Sequence, residues 1–111
     1  MATTRKRLNP RDFEFKNKTG EKLFKRPGEI NGITFTLDGL TDCDIVLADH
    51  CGQVTMDDST RTRVVVGPVD GPFFLRNCHN CHVSVACRQF RCVDCSDVTV
   101  RLYCHTKSPV V

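Results

Sequence analysis

The sequence contains no tryptophan and a single tyrosine among its 111 residues, and aromatic residues make up only 7% of it. It has no apolar run approaching the ~18 residues that would predict a membrane-spanning helix. Its first seven residues lack the apolar stretch of a secretory signal peptide. Residue 2 is Ala rather than Gly, so this chain as it stands offers no site for N-myristoylation. After Ile33, no window shows the apolar spacing of an amphipathic helix.

The net charge of +3 is distributed unevenly along the chain. Residues 1–26 carry nine Lys and Arg against three Asp and Glu, whereas residues 27–111 carry seven against ten. We interpret residues 1–26 as a basic, solvated tail and lead-in, and residues 27–111 as the folded domain. Because the basic segment lacks a helical basic face and interleaved aromatic residues, we expect no nucleic-acid partner and only indirect contact with a membrane.

The dominant pattern is a repeat of about 19 residues. Phe35-Thr36-Leu37 aligns with Val54-Thr55-Met56 and then with Phe73-Phe74-Leu75, and a step shortened to 17 residues leads to Phe90-Arg91-Cys92. Further columns read Leu40, Ser59, Cys78 and Cys95; Ile45, Val64, Val83 and Val100; and Leu47, Val66, Val85 and Leu102. Apolar residues at period two, separated by turns rich in Asp, Asn and Gly, indicate that each unit is one rung stacked on the next. The sequence therefore predicts an all-β, three-sided parallel β-helix, with a sandwich of hairpins as the alternative.

The two ends of the chain are less regular. Asn9–Phe15 is typical of a turn followed by a short strand or lead-in, and Lys16–Arg26 is polar and predicted to be a loop. The chain ends on Pro109-Val110-Val111, which is apolar, although the last rung of a solenoid needs a polar cap. We therefore expect the sequence to be a fragment of a longer protein, with the coil truncated at its C-terminal end.

The eight cysteines allow more than one interpretation. Cys78-x2-Cys81 and Cys92-x2-Cys95 have the spacing of a zinc site, and three histidines lie nearby: His79, His82 and His105. In the other units, however, the same columns hold Leu, Met, Ser, Thr or Val, as expected for a stacked interior. Free Cys behaves as a small buried hydrophobe, so packing is the favoured interpretation. Zinc and disulfides remain alternatives, and the lack of a secretion signal favours reduced thiols in the cytoplasm.

The segment Arg88-Gln89-Phe90-Arg91 occupies the point where the repeat shortens. Because Phe90 falls in an inward apolar column, strand alternation predicts that Gln89 and Arg91 project outward. Four further arginines are expected on neighbouring rungs, where they would form a basic ridge: Arg61, Arg63, Arg76 and Arg101. The alternative is that these are surface arginines with no special role.

Several of these segments resemble the tubulin-binding cofactor C (TBCC) domain family. The resemblance is carried by Gly67–Cys78, Ala86–Arg91, Asp94-Cys95 and Tyr103-Cys104, and also by Pro10–Phe13, Arg26–Gly28 and Gly32. It extends over essentially everything after residue 8, and within the family it is strongest to the X-linked retinitis pigmentosa branch. It implies that the parallel β-helix is right-handed.

The resemblance also implies an activity, namely GTPase activation. In the family, the Arg of the Gln-x-Arg segment acts as an arginine finger, so Arg91 would be catalytic with Gln89 as its companion. Contacts to the partner would come from four residues: Arg88, Phe90, Arg76 and Asn77. The partner would be an Arf-like small GTPase in its GTP form, or tubulin. The chain would then be an activator with no cofactor of its own, since GTP and Mg²⁺ belong to the partner.

The chain departs from the family pattern in two ways. The family commonly has Gln where this sequence has Arg88, and its members carry an acidic residue shortly after the last residue of this chain. Two alternatives to activation of an Arf-like GTPase stay open: tubulin-folding activity at the same site, and a non-catalytic interaction module such as the related β-helix of the cyclase-associated proteins. The resemblance implies a cytoplasmic location, extending to the ciliary base or basal body.

Overall fold

The structure, a computed structural model, describes residues 10–103, and nearly all regular structure in that range is β-strand. A short 3-10 helix at Pro10–Phe13 comes first. The strands are β1 (Glu14–Lys16), β2 (Lys22–Lys25), β3 (Phe35–Asp38), β4 (Asp44–Leu47), β5 (Val54–Asp57), β6 (Arg63–Arg76), β7 (His82–Val93) and β8 (Thr99–Tyr103). Each strand pairs in parallel with the equivalent segment of the next unit, so the chain forms a parallel β-solenoid.

The coil has three sides, which we call faces A, B and C. Face A contains β1, β3, β5 and the ends of β6 and β7, with Phe35 paired to Val54, Val54 to Phe73 and Phe73 to Phe90. Face B contains β2, β4, the starts of β6 and β7, and β8. Face C lies between them and is linked by the pairs of Val69 with Cys51 and with Cys87. The register matches the columns read from the sequence, which confirms the predicted β-helix.

Strand alternation produces the core. Along β3 and β5, buried residues alternate with half-buried ones, so one side chain in two enters the coil. The inward residues form a single apolar cluster that includes Phe35, Leu37, Ile45 and Leu47, each no more than 1% exposed. Burial of such side chains contributes about 1.5–3 kcal/mol each, and this is the main force that stacks the rungs.

The corner between faces A and B explains why turn residues recur with the repeat. At this corner two positions of each rung have a positive φ, and they are Asn17, Gly39, Asp58, Asn77 and Asp94 in one column and Gly20, Asp42, Arg61, Asn80 and Asp97 in the other. Asn, Asp and Gly tolerate this left-handed conformation better than other residues. Arg61 is the exception, and its guanidinium donates hydrogen bonds to Asp42 one rung below at 2.7 and 3.2 Å.

On face C, glycines bring successive backbones close together. A Cβ atom on Gly71 would lie 2.6 Å from the carbonyl oxygen of Gly52, and a Cβ on Gly52 would collide with the carbonyl oxygen of Gly32. Any side chain at these two positions would push the rungs apart. The turn at the start of this face is held by Asp49, whose carboxylate accepts hydrogen bonds from the backbone N–H groups of Ile30 at 2.9 Å and Asn31 at 2.7 Å.

The N-terminal segment differs from the expectation. Lys22–Lys25 is a strand, not part of a loop, and it pairs with β4, while β1 pairs with β3. The ring centroids of Phe15 and Phe35 are 5.2 Å apart, so this first rung packs on the core. The predicted division after residue 26 therefore falls inside the coil, which begins at Glu14. The tail residues before Pro10, and Pro109-Val110-Val111, lie outside the described residues.

The cysteines of residues 10–103 are all free thiols, and five are buried: Cys43, Cys51, Cys78, Cys81 and Cys87. The Cys78 thiol donates to the carbonyl of Arg76 at 3.2 Å, and the Cys81 thiol to that of His79 at 3.3 Å. Burial raises the pKa of the Cys51 thiol to about 12. For these five residues the arrangement favours the packing interpretation. Cys92 departs from it, because its side chain is exposed although its column is inward in the other units, and Cys95 is only half-buried. Within the described range, no three His, Cys, Asp or Glu side chains come together in a group that could hold a metal, and His105 lies beyond that range.

No helix in the described part of the chain is both long and apolar enough to cross a membrane.

Candidate functional site

The shortened step of the repeat lies where β7 crosses face C. The pairing of β6 with β7 shifts twice, between Val65 and Pro68 and again between Val69 and Pro72. Since Val69 pairs with Cys87 and Pro72 with Gln89, a single residue of β7, Arg88, lies opposite two residues of β6. Bulges of this kind redirect side chains at the edge of a sheet. The exposed Arg88 therefore sits at the point where β7 turns from face C onto face A.

Phe90 fixes the position of this segment. Its side chain is 2% exposed and stacks on Phe73, with ring centroids 5.4 Å apart and an angle of 18° between the planes. This corrects the expectation that Phe90 contacts a partner, because its ring is enclosed by the coil. Phe90 instead anchors the strand from which its two neighbours, Gln89 and Arg91, project.

Arg91 is exposed on the outer surface of face A, and the half-buried Gln89 holds it. With its amide oxygen turned toward the guanidinium, Gln89 accepts hydrogen bonds from Arg91 Nε at 2.6 Å and Nη2 at 2.7 Å. We assign this orientation because the opposite one would set amide N–H groups against guanidinium N–H groups. The contact uses two of the five guanidinium N–H groups and leaves three, two on Nη1 and one on Nη2, for a further acceptor. In the predicted pair, the Gln89 amide therefore holds the guanidinium of Arg91 in position on the same strand.

Arg76 lies on the same face but is engaged within the coil. Its Nε donates to Asp57 Oδ1 at 2.9 Å and its Nη2 to Asp57 Oδ2 at 3.1 Å. This two-point pair with the rung below holds the guanidinium across the strands. Arg76 remains largely exposed, with 60% of its side chain accessible, so the pair forms part of the outer surface beside Arg91.

Asn77 is used at the corner between faces A and B. It has a φ of 52°, its Nδ2 donates to Asp58 Oδ1 at 2.7 Å, and its Oδ1 lies 3.3 Å from His79 Nε2. His79 Nδ1 in turn lies 2.7 Å from Ser96 Oγ. These contacts direct the amide of Asn77 toward its own coil. If Asn77 contacts a partner as predicted, its amide has to give up one of these hydrogen bonds.

The expected basic ridge is not a single surface. Arg63 and Arg101 lie on face B, where they pair in register with His82 and Ser84 respectively. Arg61 is at the corner and Arg76 is on face A. Strand register, rather than closeness in sequence, decides which arginines are neighbours. Of the four, Arg76 alone shares the outer surface of face A with Arg91.

Sequence reasoning missed Phe74, the neighbour of Arg91 across the strands. The two residues pair directly in the register of β6 and β7, and Phe74 occupies an outward, half-buried position. The repeat alignment could have indicated this residue, because the column of Phe74 holds Thr36 and Thr55 in the earlier units. A Phe in an outward column of Thr indicates a change in what that surface contacts.

Comparison with known proteins agrees with this picture. The family model described as tubulin binding cofactor C matches residues 32–111. Protein XRP2 of Danio rerio is 36% identical over 107 residues, which are 96% of this chain and 28% of that protein. Protein XRP2 of Homo sapiens is also 36% identical, over 96% of this chain and 30% of its own length.

A second kind of relative is Tubulin-specific chaperone C of Mus musculus, 31% identical over 88 residues, which are 79% of this chain and 26% of that protein. The chain thus spans less than a third of the length of these curated relatives. With the family model matching most of a coil that carries the Gln89–Arg91 pair, the chain belongs to the tubulin-binding cofactor C family.

Proposed function

We propose that this chain is a GTPase-activating domain that supplies Arg91 as an arginine finger, in trans, to a GTP-bound Arf-like small GTPase. The observation that carries the proposal is the outward guanidinium of Arg91, held by the Gln89 amide on a strand anchored by Phe90. The similarity to Protein XRP2 supports the choice of an Arf-like GTPase as the partner.

The chemistry of phosphoryl transfer suits such a group. Charge develops on the γ-phosphate oxygens and on the leaving bridge oxygen, and a permanently charged planar fork stabilises both. A guanidinium already aimed by Gln89 needs little reorganisation as that charge develops. Fingers of this type accelerate hydrolysis on the order of 10³–10⁵-fold. In this proposal the partner holds the GTP and Mg²⁺, and the chain itself binds no cofactor.

The test is single-turnover GTP hydrolysis by a GTP-loaded Arf-like GTPase with the intact chain, with Arg91→Ala and with Arg91→Lys. We expect both variants to lose nearly all stimulation while still binding the GTPase. Arg63→Ala on face B is the matched control, because it removes another exposed arginine from a different side of the coil. Stimulation that survives in Arg91→Ala would contradict the proposal.

A second candidate is stimulation of GTP hydrolysis by tubulin through the same Arg91. The observation that favours it is the 31% identity to Tubulin-specific chaperone C of Mus musculus. The same variants assayed with tubulin separate the two candidates by which GTP-bound partner responds. Binding to either partner without any stimulation would instead identify a non-catalytic interaction module.

We further propose a cytoplasmic location, extending to the ciliary base or basal body. Support comes from the seven free thiols in the described residues, since thiols persist in a reducing compartment. Imaging of a tagged chain together with a basal-body marker tests this location.

A further inference from the structure

The outer surface of face A changes character along the coil. Two of its outward columns read Glu14, Thr36, Thr55, Phe74 and Arg91, and Lys16, Asp38, Asp57, Arg76 and Val93. In these two columns the first three rungs present only charged or hydroxyl side chains. The rungs at the ends of β6 and β7 present two apolar residues and two arginines there.

These four residues alternate. Arg91 is paired in register with Phe74, and Val93 with Arg76, so each apolar side chain lies beside an arginine both along the strand and across the strands. Val93 is 52% exposed, a high value for a large apolar residue. Because Arg76 is paired with Asp57, its charge is largely compensated. The uncompensated positive charge of this patch is therefore that of Arg91, with Arg88 at its edge.

We propose that Phe74 and Val93 are the apolar contacts that seat the GTPase around Arg91, with the nucleotide-bearing face of the GTP-loaded partner as the occupant. This inference rests on the proposed function and deepens it, because it names the residues that supply affinity rather than rate. Two features favour this occupant. Within residues 10–103, the apolar residues of these two columns occur at the rungs that carry Arg91 and Arg76, and the free positive charge among them complements a polyphosphate.

The physical roles divide accordingly. Protein interfaces gain most of their affinity from a few apolar or arginine anchors that lose water on binding. Phe74 and Val93 make the same contact in the ground state and the transition state, so they contribute to binding in both. Arg91 meets charge that develops only as the phosphoryl group transfers, so it contributes to the rate.

A second exposed apolar group provides the control. Phe24, Val46 and Val65 form an outward column on face B and are 54%, 38% and 43% exposed. This column lies on a different side of the coil from Arg91. A substitution there changes a similarly exposed apolar side chain without touching the proposed contact surface.

The experiment measures binding and turnover separately for Phe74→Thr and Val93→Thr, with Val65→Thr as the control. Thr already occupies the Phe74 column at Thr36 and Thr55, and Val to Thr keeps the shape, so all three variants should retain the fold. Affinity is measured with an Arf-like GTPase loaded with a non-hydrolysable GTP analogue, and the single-turnover rate is measured at saturating chain with GTP. We expect each face A variant to bind about tenfold more weakly, with an unchanged saturated rate, and the control to match the original chain.

The outcomes are distinct. If the original chain binds and stimulates but Phe74→Thr and Val93→Thr bind as tightly as it does, the docking surface is wrong and the finger proposal stands. If Val65→Thr weakens binding equally, the contact is not specific to face A and the inference also fails. If the original chain neither binds nor stimulates, the proposed function falls and this inference falls with it.

Discussion

Gln89 and Arg91 lie two residues apart on β7 and are joined by two hydrogen bonds, from Arg91 Nε at 2.6 Å and Nη2 at 2.7 Å to the Gln89 amide oxygen. Both side chains leave the strand on its outer side, with the buried Phe90 between them. A flexible arginine side chain loses conformational entropy when it is fixed. Because Gln89 already orders Arg91 in the folded chain, less of this entropy is lost when a partner binds.

The first prediction concerns this contact. Gln89→Ala should lower the stimulated rate at saturation, by less than Arg91→Ala does, because the guanidinium keeps its charge but loses its support. The affinity of the variant for the GTPase loaded with a non-hydrolysable GTP analogue should change little. Gln53→Ala is the matched control, since Gln53 occupies the same column two rungs below. A Gln89→Ala variant with the original saturated rate would show that the contact does not orient the finger.

The second prediction concerns Phe90. Phe90→Ala removes a buried ring stacked on Phe73 and should lower the free energy of unfolding by about 3–5 kcal/mol. Chemical denaturation followed by circular dichroism measures the loss. Phe90→Leu keeps most of the volume and should cost clearly less. Equal stability of Phe90→Ala and the original chain would contradict the anchoring role.

The third prediction concerns the glycines of face C. Gly71→Ala places a Cβ 2.6 Å from the carbonyl oxygen of Gly52 and should destabilise the coil by about 1–3 kcal/mol. Gly20→Ala is the comparison, because Gly20 has open space around it and only its φ of 67° penalises a side chain. The Gly20 variant should cost about 1 kcal/mol. Thermal unfolding that ranks Gly20→Ala as the more damaging change would contradict the close-approach argument.

The fourth prediction concerns Asp49. Hydrogen bonds from the backbone N–H groups of Asn31 and Ile30 hold the pKa of this carboxyl well below its usual range. Its stabilising contribution is therefore complete above the unfolded pKa of about 3.9 and is lost as the pH falls toward the lower folded value. Asp49→Asn should accordingly lower the midpoint of thermal unfolding at neutral pH. The difference from the original chain should shrink below about pH 4, and a difference that does not depend on pH would contradict this assignment.

The sequence predicted the coil interior well, because most positions of a stacked column are apolar in every unit, with the buried Ser59 and Thr62 as exceptions. The columns headed by Phe35 and Ile45 therefore appear in the alignment and again in the register. Of the first rung, β2 was not predicted, because Leu23 is its one inward apolar residue and lies in a short segment that begins and ends with lysine. Alternation likewise predicted the directions of Gln89 and Arg91.

The site could be predicted only in part. The two-point contact between Gln89 and Arg91 depends on side-chain rotamers, which strand alternation does not determine. Phe90 adjoins Arg91 in the sequence, but its inward column places its ring inside the coil rather than on the partner surface. The neighbours Phe74 and Val93 follow from the register of β6 with β7, and that register depends on where the two bulges fall.

Where the side chains of β6 and β7 alternate between the interior and the surface, two kinds of evolutionary change are separated. Inward side chains contact their neighbours in adjacent rungs, so a change there has to be matched by the rungs on either side. Outward side chains on face A meet only solvent, a partner or one another. If the proposed contacts are correct, a lineage can replace Phe74, Val93 or Arg88 one at a time and thereby change its GTP-binding partner, while Phe90 and the rungs beneath it keep Arg91 in place.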